Sequence, residues 1–285
     1  MIEVIRAGSL TTVQDLGRAG LAHLGVGRSG AADRGSLRLA NRLVGNREDA
    51  ACLEITLGGF AARFGEACVV ALAGAPCPVR VSGREAFMHG PIHVAAGDEL
   101  SVGVPAQGVR TYLAVRGGFG VAPVLGSRST DVLAGLGPEP LRSGTRLPVG
   151  NDAGELPCVD VAPVPAIPEE IILRVLPGPR ADWFTPAALT ALASHAYEVT
   201  TQSNRVGLRL SGPKLERVVT RELPSEGMVC GALQVPPSGQ PVLFLADHPV
   251  TGGYPVIGVV GEQDICLAAQ ARPGQRLRFH VLPPR

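Results

Sequence analysis

The chain has 285 residues, of which 45% are apolar and 18% are charged. A disordered chain would combine lower hydrophobicity with higher net charge, so this composition indicates a folded protein. The net charge is +1, from 26 basic and 25 acidic residues, and aromatic residues make up 4%. Nucleic-acid-binding proteins carry a basic face and aromatic platforms, so the composition argues against that class.

The sequence shows no sign of a leader, a membrane span or a metal motif. The first residues, MIEVIRAGSLTTVQDLG, lack the basic and apolar regions of a signal peptide. No uncharged apolar run reaches the roughly 18 residues of a transmembrane helix. The six cysteines include no Cys-x-x-Cys pair and are interpreted as small apolar residues in a reducing compartment. We therefore expect a cytoplasmic protein with no metal site, no membrane contact and no nucleic-acid partner.

Short strands dominate the predicted structure. The chain contains 37 glycines and 25 prolines, so turns are dense. Segments of alternating apolar residues lie between these turns and predict strands. They cover 3–6, 69–72, 79–81, 92–94, 112–115, 171–176, 242–245 and 277–281. A mostly β protein is favoured.

A G-x-x-L-x-apolar pattern recurs at Gly97, Gly144 and Gly274. In each copy a glycine supplies a turn, and apolar residues then follow with the period of a strand. Both an internal duplication and the ordinary reuse of hairpin entries by a β protein explain the pattern.

Three helices are predicted. Residues 33–44 carry an apolar stripe, and Gly45 follows them as a helix-ending residue. A second helix begins at Thr185, an N-cap before Pro186, and runs to about residue 194. A third is expected over 264–270.

A proline-rich connector at 151–168 divides the chain in two. Proline there favours an extended linker, because it disfavours helix in the preceding residue. The predicted domains are therefore an N-terminal subdomain, 1–150, and a C-terminal subdomain, 169–285.

Common catalytic motifs are absent from the sequence. Lys214 is the one lysine and follows Pro213, so no Walker A phosphate loop exists. No serine lies in G-x-S-x-G, the nucleophile elbow of hydrolases. His89 and His93 are separated by Gly90-Pro91, which prevents them from sharing a helix face.

Four segments mix glycine with hydroxyl, amide, acidic and arginine side chains. Arginine grips a planar carboxylate with two parallel bonds, and consecutive glycine amides can face an oxyanion. The alternative is that these segments are Asx and Ser/Thr turns joined by Arg–Asp pairs. The segments are TTVQDLGR (11–18) with SGAAD (29–33), LGSRSTD (125–131), SNRVGLRL (203–210) and ADHPVTGGYP (246–255).

Taken together, the segments resemble the biotin-dependent carboxyltransferase-like family in order and over nearly the whole chain. That family includes the C component of 5-oxoprolinase, KipA, the second component of allophanate hydrolase-like complexes and part of urea carboxylase. The matching strings are LTTVQDLGRAG (10–20), GVGRSGAAD (25–33), RLANRLVGN (38–46), ACLEITLGG (51–59), YLAVRGGF (112–119), LGSRSTD (125–131), SNRVGLRLSGP (203–213), GALQVPPSGQP (231–241) and TGGYPVIGVV (251–260).

The resemblance implies a mostly β fold of two cyclophilin-like β-barrel subdomains with a few short helices. It also implies one component of an ATP-dependent 5-oxoprolinase, which converts 5-oxoproline to glutamate together with a KipI-like B component and a LamB/YcsF-like A component. One alternative is a carboxyltransferase component of the urea carboxylase or allophanate hydrolase type. Another is a non-catalytic KipA-like antagonist of a kinase inhibitor. ATP would be bound here or by a partner, and biotin would come from another protein.

From these motif positions we expect a small anionic substrate and place its contacts by hypothesis. Arg205 or Arg209 holds a substrate carboxylate, near Ser203 and Asn204. The reacting oxygen is lined by Thr251, Gly252, Gly253 and Tyr254, with Glu226 and Asp247 as alternative proton carriers. The facing wall consists of Gln14, Asp15, Arg18, Ser29 and Asp33. Structural alternatives are a helix cap for Asp33, an Arg18–Asp15 pair, and a barrel plug for Tyr254.

Three positions depart from the family pattern. Ala32 stands where the family usually has the methionine of SGAMD. Residues 137–140 replace the glycine-rich segment that usually leads to the following G-x-x-L turn. Residues 248–250 precede TGGYP at positions where polar residues are commoner in the family. The first and third lie beside candidate site residues, so the identity of the substrate is the property they leave open.

Overall fold

The computed structural model describes residues 1–283, which divide into two compact units. The first unit consists of Met1–Arg18, Ser29–Asp131 and Gly135–Ile167. The second unit consists of Ala19–Arg28, Val132–Ala134 and the described chain from Pro168 onward. Two short internal segments are therefore assigned to the second unit.

The first unit is built from two antiparallel sheets. One has the strand order β11-β1-β4-β9-β6-β7, and the other has the order β2-β3-β10-β5-β8. The strands are β1 (Ile2–Ala7), β2 (Leu10–Gln14), β3 (Cys52–Thr56), β4 (Phe60–Phe64), β5 (Cys68–Gly74), β6 (Val79–Val81), β7 (Arg84–Ala86), β8 (Ile92–Val94), β9 (Glu99–Val102), β10 (Arg110–Val115) and β11 (Arg146–Leu147).

The sheet containing β10 is buried on both faces. Leu113 and Val115 face the other sheet in one core cluster, whereas Tyr112 and Ala114 lie in a second cluster with Leu37 of the first helix. All six residues of β10 are buried. Such strands read as continuous apolar runs, so they lack the alternation that identifies a half-exposed strand.

The first helix, α1 (Arg34–Leu43), covers this sheet. Asp33 is its N-cap, and its carboxylate accepts a bond from the Ser36 amide at 3.0 Å. Gly45 follows the helix with φ of +70°, a backbone conformation that glycine adopts without strain. The predicted helix and both of its ends are confirmed.

The second unit contains a closed barrel with the strand order β12-β19-β16-β17-β14-β13-β20 and a separate β15–β18 ribbon. β12 pairs in parallel with β20, and the other barrel pairs are antiparallel. The strands are β12 (Glu170–Pro177), β13 (Ala196–Val199), β14 (Gly207–Ser211), β15 (Glu226–Gly227), β16 (Ala232–Gln234), β17 (Val242–Phe244), β18 (Thr251–Gly252), β19 (Val256–Val260) and β20 (Arg276–Val281).

Apolar side chains at every second strand residue fill the interior of the barrel. On β12, Ile171, Leu173 and Val175 are buried in the core, and the residues between them are exposed. A strand with one face inside and one outside has this two-residue period. The expected mostly β fold with few short helices is confirmed.

Two more helices lie in the second unit. α2 (Pro186–Ser194) is capped by Thr185, whose hydroxyl accepts from the Ala188 amide at 3.1 Å, as predicted. α3 (Glu262–Ala268) begins two residues earlier than expected, because Gly261 is its N-cap. Acidic residues in its first turn suit the partial positive charge of a helix N-terminus. Short 3₁₀ turns occur at Ala22–Leu24 and Ala181–Trp183.

None of the helices within residues 1–283 is long and apolar enough to cross a membrane.

Candidate functional site

In the first unit, the carboxylate of Asp15 anchors the 125–131 loop. It accepts hydrogen bonds from the Ser127 and Ser129 hydroxyls at 2.6 Å each. It also accepts from the backbone amides of Arg128 at 2.6 Å and Gly17 at 2.8 Å. Asp15 is buried, and its own unit satisfies both carboxylate oxygens. The geometry therefore gives Asp15 a loop-holding role, whereas its predicted substrate contact stays a prediction.

Arg18 is buried at 2% exposure. Its Nε donates to the Val124 carbonyl at 3.0 Å, and its Nη2 donates to the Ser129 carbonyl at 2.6 Å. Its Nη1 is buried without a hydrogen-bond partner, and no carboxylate of residues 1–283 forms an ion pair with it. The alternative that Arg18 pairs with Asp15 is therefore wrong. A buried guanidinium stays charged, so Arg18 is a cation without an anion.

Gln14 is a second buried side chain with an unused atom. Its Nε2 donates to the Thr12 hydroxyl at 3.0 Å and to the Thr130 carbonyl at 2.9 Å. Its Oε1 is buried and accepts no hydrogen bond from the described part of the chain. Gln14 and Arg18 thus donate to the carbonyls of two consecutive residues of the 125–131 loop, Thr130 and Ser129. We call Gln14, Arg18, Ser29, Ser129 and Thr130 the Gln14–Arg18 cluster.

Ser29 completes this cluster from a strained turn. Its hydroxyl donates to the Thr130 carbonyl at 3.3 Å, and its φ is +52°, which side chains other than glycine rarely adopt. The next residue, Gly30, has φ of +91°, and a Cβ there would lie 2.8 Å from the Gly17 amide nitrogen. The turn is therefore held tightly against the segment between Gln14 and Arg18. Backbone strain of this kind concentrates at functional sites.

A buried network that the sequence analysis missed supports this turn. The Glu54 carboxylate accepts from the Tyr112 hydroxyl at 2.7 Å and from the Ala32 amide at 3.0 Å. The Arg110 guanidinium lies 3.5 Å from the same carboxylate. Tyr112 in turn accepts from the Asp33 amide at 2.8 Å. Burial, and then the charge of Glu54, raise the pKa of Tyr112 well above its ordinary value, so its hydroxyl keeps its proton.

Asp33 therefore has a structural role through both its backbone and its side chain. Its carboxylate caps α1 through the amide and hydroxyl of Ser36, the latter at 2.6 Å. The helix-cap alternative for Asp33 is confirmed, whereas its predicted substrate contact stays a prediction.

In the second unit, Arg205 and Asp247 form a buried ion pair. The guanidinium donates from Nε at 2.8 Å and from Nη2 at 2.9 Å to the two carboxylate oxygens. Their side chains are 2% and 0% exposed. The Asp247 carboxylate also accepts from the Val132 amide at 3.2 Å. The fork that we expected to hold a substrate carboxylate thus holds Asp247.

Ser203 and Asn204 shape the loop before β14. The Asn204 side chain accepts from the Val206 amide at 2.8 Å, which is an Asx turn. The Ser203 hydroxyl accepts from the Arg209 amide at 3.0 Å. Arg209 itself is exposed on β14 and has no ion pair with any acid of residues 1–283. Of the two predicted carboxylate clamps, only Arg209 has an uncommitted guanidinium.

The β15–β18 ribbon carries the remaining predicted residues. Glu226 lies opposite Gly252, and the guanidinium of Arg180 bonds its carboxylate, with Nε at 3.0 Å. This hydrogen bond holds the pKa of Glu226 below its usual range. At neutral pH Glu226 is therefore ionised and can accept a proton but not donate one.

The glycines beside Glu226 pack against their own unit. A Cβ on Gly252 would lie 2.5 Å from the Gln234 side-chain nitrogen, and one on Gly253 would lie 3.6 Å from the Leu223 carbonyl. Thr251 and Tyr254 are exposed, Tyr254 at 44%. Packing explains Gly252, and the exposure of Tyr254 contradicts its use as a barrel plug.

The predicted residues thus fall into two groups. Gln14, Asp15, Arg18 and Ser29 meet at the 125–131 loop in the first unit, and Asp33 bonds Tyr112 in the same unit. The rest lie in the second unit, at the Arg205–Asp247 pair, its neighbouring turn and the β15–β18 ribbon. Among residues 1–283, no group of three or more His, Cys, Asp or Glu side chains is arranged to hold a metal ion.

Known proteins match this chain over almost its full length. The family described as "Carboxyltransferase domain, subdomain A and B" matches residues 24–281. The C component of 5-oxoprolinase from Escherichia coli K12 is 40% identical over 282 residues, covering 98% of this chain and 90% of that protein. The "Urea amidolyase" of Saccharomyces cerevisiae is 33% identical, covering 98% of this chain but 16% of that protein.

A solved structure agrees. The crystal structure of the Kluyveromyces lactis urea amidolyase superimposes with a TM-score of 0.91 at 31% identity. The superposition covers 99% of this chain and 19% of the urea amidolyase chain.

Proposed function

Since this chain belongs to the carboxyltransferase domain family of subdomains A and B, we propose that it is the C component of an ATP-dependent 5-oxoprolinase. The assembly would open the lactam of 5-oxoproline to glutamate, with a KipI-like B component and a LamB/YcsF-like A component. The observation that carries this proposal is the 40% identity to the E. coli protein of that name, over 98% of one chain and 90% of the other. The proposed assembly would work in the cytoplasm.

The Gln14–Arg18 cluster suits the chemistry of such a substrate. 5-Oxoproline carries a carboxylate on the carbon next to its lactam N–H, so an anion and a hydrogen-bond donor are neighbours. Arg18 Nη1 is an unused charged donor, and Gln14 Oε1 is an unused acceptor. We assign the carboxylate to Arg18 and the lactam N–H to Gln14. Arg18 would donate to the carboxylate and Gln14 would accept from the N–H, so that together they would orient the lactam ring.

Electrostatics favours Arg18 over Arg205 for this contact. Arg205 already holds Asp247 with two bonds, so a substrate carboxylate would have to displace an internal partner. Arg18 donates to two neutral carbonyls, and an incoming anion would neutralise it. Burying a charge is unfavourable unless the charge is paired, so substrate binding supplies the missing partner.

Access to Arg18 requires a movement of the chain. Gly137 lies over the guanidinium, because a Cβ there would be 2.8 Å from Nη2 and 2.1 Å from the Ser129 carbonyl oxygen. The φ of Gly137 is +83°. Nη1 is closed off from solvent, so a substrate reaches it only after part of the surrounding chain moves.

The residues present do not fit an ATP site, so we assign the nucleotide to a partner protein. The sequence has no phosphate-binding loop, and its one lysine, Lys214, is exposed. Gly252 packs against the Gln234 and Met228 side chains. Biotin, if the reaction uses it, would arrive on another protein.

Reconstitution tests the proposal. The full chain is mixed with the KipI-like and LamB/YcsF-like components, and glutamate release from 5-oxoproline is measured with and without ATP. We expect ATP-dependent glutamate that disappears when this chain is left out. No glutamate from the complete mixture, with all three proteins folded and co-purifying, would contradict the proposed activity.

A urea carboxylase component is the second candidate, favoured by the 33% identity to the S. cerevisiae urea amidolyase. The chain spans 16% of that protein, so the rest of such an activity would need other polypeptides. The same preparation is therefore assayed with a carboxylated biotin carrier and urea. Urea carboxylation without glutamate release would favour this candidate over the first.

A further inference from the structure

Both hydrogen-bond acceptors of Arg18 lie in residues 124–129, the segment that Asp15 holds. Arg18 Nε donates to the Val124 carbonyl at 3.0 Å, and Nη2 donates to the Ser129 carbonyl at 2.6 Å. Asp15 and Arg18 form no ion pair with each other within residues 1–283. A planar guanidinium carries its donors in a fixed fork, so two bonded nitrogens determine the direction of the third. The positions of these two carbonyls therefore decide where Nη1 points.

Each of the two carbonyls is one step away from the Asp15 carboxylate. Val124 and Ser127 exchange two backbone hydrogen bonds, at 2.8 and 3.2 Å. The Ser127 hydroxyl then donates to Asp15 Oδ1 at 2.6 Å. Ser129 donates its own hydroxyl to the same oxygen at 2.6 Å and accepts from the Asp15 amide at 2.9 Å. Asp15 thus fixes both of the residues on which the direction of Arg18 depends.

We propose that Asp15 is a positioning residue, which sets the direction of Arg18 through Ser127 and Ser129 and so leaves Nη1 free for the substrate carboxylate. This inference rests on the proposed function, in which Arg18 binds the carboxylate of 5-oxoproline. Asp15 acts without touching the substrate, because four donors of its own unit already occupy its two oxygens.

The bonds at Asp15 require a carboxylate rather than an amide, because every group around it is a donor. Oδ1 accepts from the hydroxyls of Ser127 and Ser129 and from the amide of Gly17. Oδ2 accepts from the amide of Arg128 at 2.6 Å. An asparagine has nearly the same shape, but its NH2 group cannot accept a hydrogen bond. Asp15→Asn therefore sets a donor against a donor and loses at least one bond to the loop.

The first test observes Arg18 itself and needs no substrate. The full chain is labelled with ¹⁵N-arginine, and the Arg18 Nε–H signal is assigned by its loss in Arg18→Lys. Because this group is buried and bonded to a carbonyl, we expect slow exchange with solvent in the unmodified chain. In Asp15→Asn we expect exchange to become roughly ten-fold faster, since the loop opens more often. The buried Arg205 Nε–H, bonded to Asp247 in the second unit, is the internal reference and should not change.

The matched control variant is Asp98→Asn. Asp98 also holds a turn of the first unit, where its carboxylate accepts from the Ser82 hydroxyl at 2.6 Å and from the Ala95 amide at 2.9 Å. The same chemical change there should leave the Arg18 signal unaltered. Equal Arg18 exchange in Asp15→Asn and the unmodified chain would overturn the positioning role. Equal acceleration at Arg18 and Arg205 would also overturn it, because it would show a general loss of stability.

The second readout is the split between KM and kcat for 5-oxoproline in the reconstituted assembly. We expect Asp15→Asn to raise KM roughly ten-fold and to leave kcat unchanged, because it disturbs a binding group and no reacting atom. Asp98→Asn should change neither constant. A lower kcat with an unchanged KM would contradict the positioning role. An unmodified assembly that releases no glutamate would remove the proposed function alone, and the exchange of Arg18 would still decide the role of Asp15.

Discussion

Arg18 in the first unit and Arg205 in the second are buried to the same extent, and both are 2% exposed. Arg205 is neutralised by a two-bond contact with Asp247. Arg18 binds only neutral carbonyls and keeps one unused nitrogen. Removing one partner of a buried ion pair leaves an uncompensated charge, whereas a buried charge without a counter-ion can be neutralised by a ligand. The contrast supports the proposed role of Arg18 in binding the substrate, whereas Arg205 is committed to Asp247 within the second unit.

Two tyrosines repeat this contrast. Tyr112 in the first unit and Tyr197 in the second are both completely buried. The Tyr112 hydroxyl donates to Glu54 and accepts from Asp33. The Tyr197 hydroxyl has no hydrogen-bond partner within residues 1–283, and burial raises its pKa to about 12. Burial alone thus does not reveal whether a polar group stabilises the fold.

The largest expected effect on stability comes from removing the carboxylate charge that pairs with Arg205. Asp247→Asn leaves Arg205 charged and without a counter-ion, and we expect a loss of about 3–5 kcal/mol in the free energy of unfolding. Arg18→Met removes a charge that has no counter-ion, so its loss should stay below about 2 kcal/mol. Urea unfolding of the two variants measures both values. Equal losses would remove the distinction between the two arginines.

The contrast between Tyr112 and Tyr197 predicts a smaller difference in stability. Tyr112→Phe breaks a buried bond to the Glu54 carboxylate, which we expect to destabilise the protein by about 2 kcal/mol. Tyr197→Phe removes an unsatisfied hydroxyl, so stability should stay unchanged or rise by about 1 kcal/mol. Thermal unfolding of the two variants checks this difference in sign. A destabilised Tyr197→Phe protein would show that its hydroxyl has a partner.

The smallest effect concerns the acid limb of the stability profile. Arg180 lowers the pKa of Glu226 through a hydrogen bond. A lowered pKa contributes stability above the unfolded value of about 4.3, and this contribution is lost as pH falls through the folded value. Both side chains are about a third exposed, so salt should weaken the effect.

Glu226→Gln tests this by removing the ionisable group while keeping its shape. Melting temperatures are compared between pH 7 and pH 3 at low and high salt. We expect the variant to lose part of the fall in melting temperature below about pH 4.3. Glu155→Gln, at an exposed position, is the control. Identical profiles for Glu226→Gln and the unmodified chain would show that the ion pair is not formed in solution.

The sequence was sufficient to predict elements whose signals are local. Each predicted strand overlaps a strand of the structure, and α1 and α2 begin at the predicted caps, Asp33 and Thr185. The recurring glycines 97, 144 and 274 all have positive φ and precede strands β9, β11 and β20. A cap or turn depends on neighbours within a few residues, so its pattern is visible in the chain.

The pairing of buried charges could not be predicted in this way. Asp15 meets Ser129 across 114 positions, and Arg205 meets Asp247 across 42. Neither contact has a periodicity or fixed spacing. Glu54 gave one usable signal: an acid within the apolar string ACLEITLGG, where a buried carboxylate needs a partner. The strand β3 that carries it is not among the predicted strands.

The KM for 5-oxoproline in the reconstituted assembly tests the proposed Arg18 contact directly. Arg18→Lys keeps the charge but removes the Nη1 group that we assign to the substrate carboxylate, and Arg146→Lys is the matched control at an exposed position. Losing a buried contact to a carboxylate corresponds to about 2–3 kcal/mol, or roughly 30- to 150-fold in affinity. We expect a rise in KM of that order for Arg18→Lys and none for Arg146→Lys. An unchanged KM in a folded, assembled Arg18→Lys protein would contradict the Arg18 contact.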